Sequence, residues 1–208
     1  MLHSRAVGII ERSVVKIEGV APSCSLKIEG SGFIVSPQHV LTNAHVVAGV
    51  TDGPRVYATD GASYAGQVVF YDPQRDVAVL YVPGLRSPAM QFAGAPGYGA
   101  KAIVAGYPLN HPLTLNPASV GNSIDAYGPN IYQDQVVHRQ IFPIHADVQP
   151  GNSGGPLVAP DGKVYGMVFA ASTSVANSGY ALTASEIASD VQSGEQSTAP
   201  VSTEQCQH

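Results

Sequence analysis

The sequence predicts an all-β protein made of two small antiparallel barrels. Short runs of β-branched and aromatic residues alternate with turn residues along most of the 208-residue chain, which is typical of sandwiches and barrels. Residues 83–99 are dense in proline and glycine and divide these runs into two series. Charged residues make up only 12% of the chain, which argues against a disordered or coiled-coil protein. Periodicity alone leaves a single sandwich open as the alternative.

Each series contains six candidate strands. In the first half these are residues 14–17, 31–35, 40–42, 55–58, 67–71 and 77–82. In the second half they are residues 102–106, 135–137, 139–142, 156–158, 164–169 and 179–182. Helical periodicity is scarce, and only residues 183–191 predict a short helix, with Thr183 or Ser185 as its N-cap.

These runs set the expected domain limits. We place an N-terminal barrel at residues 7–90 and a C-terminal barrel at residues 91–192. Residues 193–208 are polar and rich in serine, threonine and glutamine, so we expect them to form a tail.

Charge and hydropathy limit the partners and the location. The net charge is −5 and no run of lysine or arginine occurs, so we expect no nucleic-acid partner. No apolar stretch reaches the ~18 residues of a membrane-spanning helix, and the first residues do not resemble a secretory signal. We therefore expect either a cytosolic protein or the excised soluble part of a longer exported chain.

The two cysteines, Cys24 and Cys206, lie near opposite ends of the chain. They cannot form a zinc site alone, and no CxxC redox motif is present. Two alternatives stay open: unrelated free thiols, or one disulfide that ties the end of the chain to an early strand. A disulfide would indicate an oxidising compartment and would contribute roughly 4–5 kcal/mol by closing so long a loop.

Three segments contain the residues of a nucleophilic site. Residues 42–47 (TNAHVV) place His45 directly after a strand, and residues 76–80 (DVAVL) place Asp76 at the head of another. Residues 151–157 (GNSGGPL) place Ser153 among glycines. Each segment alone has a common structural explanation, but the order His, Asp, Ser matches one of the convergent catalytic triads.

The chemistry accounts for these residue types. A serine hydroxyl becomes a nucleophile when a base takes its proton, and histidine has a suitable pKa. A carboxylate fixes the histidine tautomer and stabilises the imidazolium. The glycines allow a tight turn, so we expect the amides of Gly151 and Ser153 to point at one spot and bind an oxyanion. We thus predict catalytic residues His45, Asp76 and Ser153.

Together with residues 31–35 (SGFIV), these motifs resemble the triad motifs of trypsin-like serine proteases, and especially those of the bacterial envelope. The resemblance covers about residues 10–190. It implies a chymotrypsin-like fold of two six-stranded barrels with the active site in the cleft between them, and a serine endopeptidase that acts on polypeptides through an acyl-enzyme.

A narrower resemblance is carried by residues 21–24, 76–86, 128–132 and 179–184. These segments are similar to a family of membrane-anchored periplasmic proteases for acid resistance in mycobacteria. That likeness implies that the chain is a periplasmic or cell-envelope stress-response domain, attached to the membrane only through an upstream anchor. It also implies a Cys24–Cys206 bridge.

The chain departs from secreted trypsins in one important position. Asn152 stands where those enzymes have an aspartate that pairs with a freed N-terminus. An amide cannot form this ion pair, so we expect no activation by N-terminal insertion. The resemblance also makes Asp147 the candidate base of the substrate pocket, with Ala170, Ala171 and Tyr180 around it, although a solvent-facing Asp147 is an equal alternative.

Other functional classes stay open. The same fold could serve as a non-catalytic module that binds peptides or partners, or as a protease held inactive until a change of redox state, pH or substrate orders it. The histidines outside the motifs lack carboxylates at ligand spacing, so we expect neither a metal nor a cofactor. The sequence leaves the oligomeric state open.

Overall fold

The computed structural model describes residues 4–206, which form two seven-stranded antiparallel sheets and two helices. The first sheet contains β1 (Val14–Ala21), β2 (Leu26–Ser36), β3 (His39–Thr42), β4 (Arg55–Tyr57), β5 (Ser63–Ala65), β6 (Gln67–Asp72) and β7 (Val77–Tyr81). The second contains β8 (Ala100–Gly106), β9 (Thr114–Val120), β10 (Ile124–Pro129), β11 (Val136–His145), β12 (Pro156–Val158), β13 (Val164–Ala171) and β14 (Ser178–Thr183). The expected all-β fold class is confirmed.

Six strands of the second sheet form a ring. They run in the order β11-β14-β13-β12-β8-β9, and a further pairing of β9 with β11 closes the ring, while β10 adds to its outside. In the first sheet β5 and β6 are separated only by Gly66 and lie at the two ends of the strand order. The two sheets are therefore half-barrels or barrels, as expected, but each contains seven strands where six were expected.

Alternation along the strands builds a core inside each sheet. β1 shows the period-2 burial of a strand with one face inward. The first core includes Ile17, Ile34 and Leu80, and the second includes Phe142 and Leu157. Fully burying one such side chain contributes about 1.5–3 kcal/mol.

A third core joins the two sheets. Its members include Phe33 and Leu41 from the first sheet and Met167 and Leu182 from the second. This layer holds the sheets face to face, so that loops from both sheets meet at one edge.

Two helices flank this shared core. Helix α2 (Ala184–Glu195) starts with Thr183 as its N-cap, whose hydroxyl accepts a hydrogen bond from the Glu186 amide at 3.1 Å. The predicted helix is thus present and extends further than expected. Helix α1 (Ser4–Ser13) was not predicted, and it places Ile10 in the shared core. Neither helix in residues 4–206 is long and apolar enough to cross a membrane.

The last residues pack along the first sheet. The amide of Val201 donates to the Val68 carbonyl at 2.8 Å, and the Thr203 hydroxyl donates to the Val50 carbonyl at 3.0 Å. The expected disulfide is present and joins Cys206 to Cys24, with the two Cα atoms 6.4 Å apart. This polar segment is therefore attached to the first half of the chain up to residue 206, through hydrogen bonds to β6 and to residues 49–50 and through the disulfide.

Candidate active site

His45 lies in a 3-10 turn (Ala44–Val46) that follows β3. The residues before it fix this turn on neighbouring segments. The Thr42 hydroxyl donates to the Ser31 carbonyl at 2.7 Å, and the Asn43 side-chain amide donates to the Asp76 carbonyl at 2.8 Å. The flanking residues Ala44 and Val46 are buried. Packing on both sides therefore restricts the backbone of His45.

Asp76 ends the turn between β6 and β7 with a positive φ of 65°. A non-glycine residue in this left-handed region is uncommon and occurs often at functional sites. The carboxylate is buried, and its two oxygens lie 3.0 and 2.8 Å from His45 Nδ1. The backbone amide of His45 donates to the same carboxylate at 2.9 Å. The carboxylate therefore holds both the ring and the backbone of His45.

This contact determines the tautomer of the imidazole. An ionised carboxylate can only accept, so Nδ1 carries the proton and Nε2 is left as an acceptor. Burial alone would lower the pKa of His45, but the charge and the hydrogen bond of Asp76 raise it by more, while the more distant charge of Arg139 lowers it. The pKa of His45 therefore lies above its ordinary value.

Ser153 occupies the loop between β11 and β12. Gly151 and Gly154 flank it with φ angles of 96° and 82°, which only glycine adopts readily. A side chain at Gly154 would collide with the Ser31 carbonyl and the Thr42 hydroxyl. The amide of Ser31 donates to the Ser153 carbonyl at 2.9 Å, so this loop is attached directly to the segments that support His45.

The hydroxyl of Ser153 points to the Phe169 carbonyl at 3.5 Å. Within residues 4–206 no hydrogen bond joins Ser153 Oγ to His45. The structure thus brings His45 and Asp76 into direct contact and places Ser153 on an adjoining loop, with its hydroxyl turned to β13.

The amides of Gly151 and Ser153 have no hydrogen-bond partner in the described part of the chain, whereas their neighbours do. Asn152 donates to the Gln149 carbonyl at 3.0 Å, and Gly154 donates to the Val168 carbonyl at 2.9 Å. Two N–H groups of this loop are therefore available to donate to an oxyanion.

The side chain of Asn152 contributes to the order of this loop. It is fully buried, and its Oδ1 accepts the Gln149 amide at 3.1 Å. The hydroxyl of Ser31 donates to the Gly151 carbonyl at 2.6 Å and accepts the Tyr107 amide at 2.9 Å. These contacts hold the loop without an ion pair to a freed N-terminus. The sequence analysis noted that Asn152 replaces the aspartate of secreted trypsins. It contained no pattern that predicts the hydrogen bonds of Ser31 to this loop.

The candidate pocket residues fall into two groups. Ala170 and Ala171 end β13 and pair with Tyr180 and Gly179 of β14. The Tyr180 side chain lines an apolar groove of about 390 Å³ with Phe169 and Ile141. Asp147 does not line this groove. Its carboxylate is exposed and accepts from the Gln149 side chain at 3.0 and 3.1 Å.

Arg139 is a site residue that the sequence analysis missed. It lies on β11, is 8% exposed, and lines a cavity of about 240 Å³ together with His45 and Asp76. One arginine within a strand carries no recognisable signal, because its burial depends on pairing between distant segments.

Comparison with known proteins defines the class. The chain matches the trypsin-like peptidase domain over residues 30–167 and belongs to that family. This membership defines the class of the chain as a trypsin-like peptidase domain.

Individual relatives share this assignment. The chain is 45% identical over 190 residues to the serine protease Rv3671c of Mycobacterium tuberculosis, which covers 90% of this chain and 47% of that protein. It is 34% identical over 160 residues to the putative serine protease HhoB of Synechocystis, covering 74% of this chain and 37% of that protein. The chain thus spans about half or less of the length of these curated relatives.

Solved structures give the same picture. The active form of the Rv3671c protease superposes with a TM-score of 0.94 at 43% identity, covering 98% of this chain and 89% of that one. Its inactive form gives 0.81 at 42% identity, covering 91% and 92%. The HtrA-type protease AlgW with a tripeptide gives 0.80 at 28% identity, covering 91% and 62%.

Proposed function

We propose that the chain is an endopeptidase in which Ser153 is the nucleophile, His45 the general base and Asp76 the group that orients the base. The observation that carries this proposal is the Asp76 carboxylate, which accepts both the ring Nδ1–H and the backbone amide of His45. This contact leaves Nε2 as the free acceptor that must take the serine proton.

The reaction then follows from these groups. Ser153 Oγ attacks the scissile carbonyl carbon while His45 Nε2 takes its proton. The carbonyl oxygen becomes an oxyanion and accepts hydrogen bonds from the amides of Gly151 and Ser153. His45 returns the proton to the leaving amine, and the acyl group stays on Ser153. Water, deprotonated by His45, then releases the carboxylic acid and restores the serine.

The serine must rotate to begin this cycle. Its hydroxyl rests on the Phe169 carbonyl at 3.5 Å, which is at the long limit of a hydrogen bond. We propose that a rotation about the Cα–Cβ bond transfers it to His45. Such rotamer changes of a serine are fast compared with catalysis.

A serine substitution tests this function. Ser153→Ala should lower the rate of peptide hydrolysis by at least about 10³-fold, because the nucleophile is lost. Ser193→Ala, on the exposed side of α2, is the matched control and should keep full activity. Undiminished hydrolysis by Ser153→Ala would refute the proposed nucleophile.

We further propose a periplasmic or cell-envelope location, with the domain attached to a membrane-anchored parent that acts in acid or stress resistance. Relatives named as periplasmic serine endoproteases, such as the DegP-like protein of Chlamydia pneumoniae at 34% identity over 152 residues, support this location. The disulfide also favours an oxidising compartment. Sequencing the complete reading frame tests the anchor, since an upstream block of apolar helices is the expected result.

A protease held inactive until it is ordered is the second candidate. The fold superposes better on the active than on the inactive Rv3671c form, with TM-scores of 0.94 and 0.81, which supports the constitutive enzyme over this candidate. Activity that appears only after a reductant or a pH change would instead support the regulated state.

The substrate is proposed to be a polypeptide with a preference set near Asp147. Asp147 lies outside the groove that Tyr180 lines, and what supports the proposal is its exposed carboxylate, which accepts from the neutral Gln149 side chain and is accessible to an arginine or lysine. Cleavage rates for matched peptides with Arg, Leu or Phe before the scissile bond test this. Equal cleavage rates for the three peptides would show that Asp147 does not contact the residue before the scissile bond.

A further inference from the structure

Arg139 is a buried cation that no step of the proposed reaction uses. It is 8% exposed, and its Nη2 has no hydrogen-bond partner within residues 4–206. Burying a charged donor without a partner is costly. An arginine in such a position therefore requires a compensating interaction with its surroundings.

The contacts of Arg139 reach the supports of both halves of the site. Its Nε donates to the Gln74 carbonyl at 2.8 Å, in the turn that ends at Asp76. Its guanidinium carbon lies 5.9 Å from the centre of the Phe169 ring, and the Phe169 carbonyl accepts the Ser153 hydroxyl. One side chain of β11 thus contacts the Asp76 turn and also Phe169, the residue whose carbonyl accepts from the Ser153 hydroxyl.

The charges around the guanidinium are mostly negative. Burial lowers the pKa of Arg139, while the carboxylates of Asp76, Asp72 and Glu186 act in the opposite direction. Arginine nonetheless stays protonated in proteins. The permanent charge of Arg139 attracts the anionic Asp76 and opposes a proton on His45.

Other titratable groups lie on the elements that pack against His45, Asp76 and Arg139. They comprise Tyr71, Tyr132 and Glu204 on the side of Asp76, and Asp72 and Glu186 on the side of Arg139, together with Arg75, which pairs with the last two. Arg75 is the other cation of the Asp76 turn, but its side chain is 43% exposed and is paired with Asp72, Glu186 and Asp190. Its charge is therefore largely neutralised.

We infer that Arg139 is a positioning residue of the proposed triad, which holds the Asp76 turn in place and keeps a permanent positive charge in the cavity that His45 and Asp76 line. This inference rests on the proposed function. Its two parts are separable, because the hydrogen bonds depend on the shape of the guanidinium and the electrostatic effect depends only on its charge.

The test measures how fast a fluorophosphonate inactivates the protein as a function of pH, since that rate requires neutral His45. The variants are Arg139→Gln, which removes the charge, and Arg139→Lys, which keeps it and loses the planar donors. Arg75→Gln is the matched control, because it removes a cation from the same turn. All proteins are compared below the melting transition of the least stable one.

We expect Arg139→Gln to move the acid midpoint upward by about one pH unit, as the loss of a nearby charge does. Arg139→Lys should keep the wild-type midpoint and lower the maximal rate by about tenfold, because the Asp76 turn is less well placed. Arg75→Gln should keep the wild-type midpoint, because the charge of Arg75 is already neutralised by the three carboxylates that pair with it.

The inference is overturned if Arg139→Gln leaves the midpoint in place, or if Arg75→Gln moves it equally. If Arg139→Gln does not fold, the lysine variant decides through its maximal rate: a loss of about tenfold at an unchanged midpoint supports the inference, and an unchanged maximal rate or a shifted midpoint refutes it. Failure of the proposed function looks different, because the wild-type protein would then not react at Ser153 at any pH.

Discussion

Gly154 is the residue at which the shape of the site is most narrowly constrained. Its φ of 82° and the close approach of Ser31 and Thr42 leave no room for a side chain. The glycine cluster in the sequence predicted a tight turn here. The reason for this glycine lies in the segments packed against it, and those are distant in sequence.

Gly154→Ala should therefore lower the free energy of unfolding by more than about 3 kcal/mol, since it adds a steric collision to the backbone strain. Gly84→Ala is the matched control: its φ is 84° and nothing lies within 4 Å of the added atom. That variant should lose only about 1–2 kcal/mol. Chemical denaturation measures both, and equal losses would contradict the packing explanation.

The His45–Asp76 pair makes stability depend on pH. An unfolded histidine has a pKa of about 6.5, and the pKa of His45 in the folded protein is raised. The stabilisation is therefore fully present below the unfolded value and is lost as the pH rises through the folded value.

Asp76→Asn should consequently cost more unfolding free energy at pH 5.5 than at pH 9. Urea titrations of the wild type and the variant at both pH values measure this difference. The hydrogen bond from the His45 amide contributes equally at both, so it cancels. A cost that is the same at the two pH values would show that the carboxylate does not raise the pKa of His45.

At the scale of elements, most strands and helix α2 could be predicted from period and capping. β5, β9 and β10 could not, and the two strands expected at residues 135–137 and 139–142 are the single strand β11. Pro117 interrupts the pattern of β9, and it is tolerated because β9 pairs continuously only with β8. β10 pairs only with β11 in the described part of the chain and none of its residues is buried, so its sequence has no apolar face to indicate a strand. Helix α1 has no acidic residue in its first turn to indicate its start.

The disulfide stabilises the protein by joining segments that are 182 residues apart. Replacing Cys24 and Cys206 by serine should lower the free energy of unfolding by about 4–5 kcal/mol in the chain-entropy model. The melting temperature of oxidised wild type, reduced wild type and the double variant checks this. Reduction of the double variant is the control and should change nothing, while a stable reduced wild type would contradict the expected contribution.

At the scale of the whole molecule, the site depends on the shared core between the sheets. His45 and Asp76 lie on connections between strands of the first sheet, and Ser153 lies on a connection between strands of the second. The order of the triad in the sequence predicted that these residues meet. Sequence reasoning could not supply the relative orientation of the sheets, because it arises from side chains that are spread along the whole chain.

Leu182→Ala in the shared core and Leu157→Ala inside the second sheet should each cost about 2–5 kcal/mol, since both side chains are fully buried. We expect only Leu182→Ala to lower the rate of peptide hydrolysis as well, because it loosens the contact between the sheets. Stability and turnover are measured on both variants. Equal turnover in the two variants would show that the active site does not depend on the packing of the shared core.

The most direct measurement is to treat the wild-type protein with a fluorophosphonate and locate the adduct by peptide mass spectrometry. We predict one adduct, on Ser153, which does not form in the His45→Ala variant. An adduct on another residue, or none on a folded protein at any pH, would contradict the assignment of Ser153 as a nucleophile activated by His45.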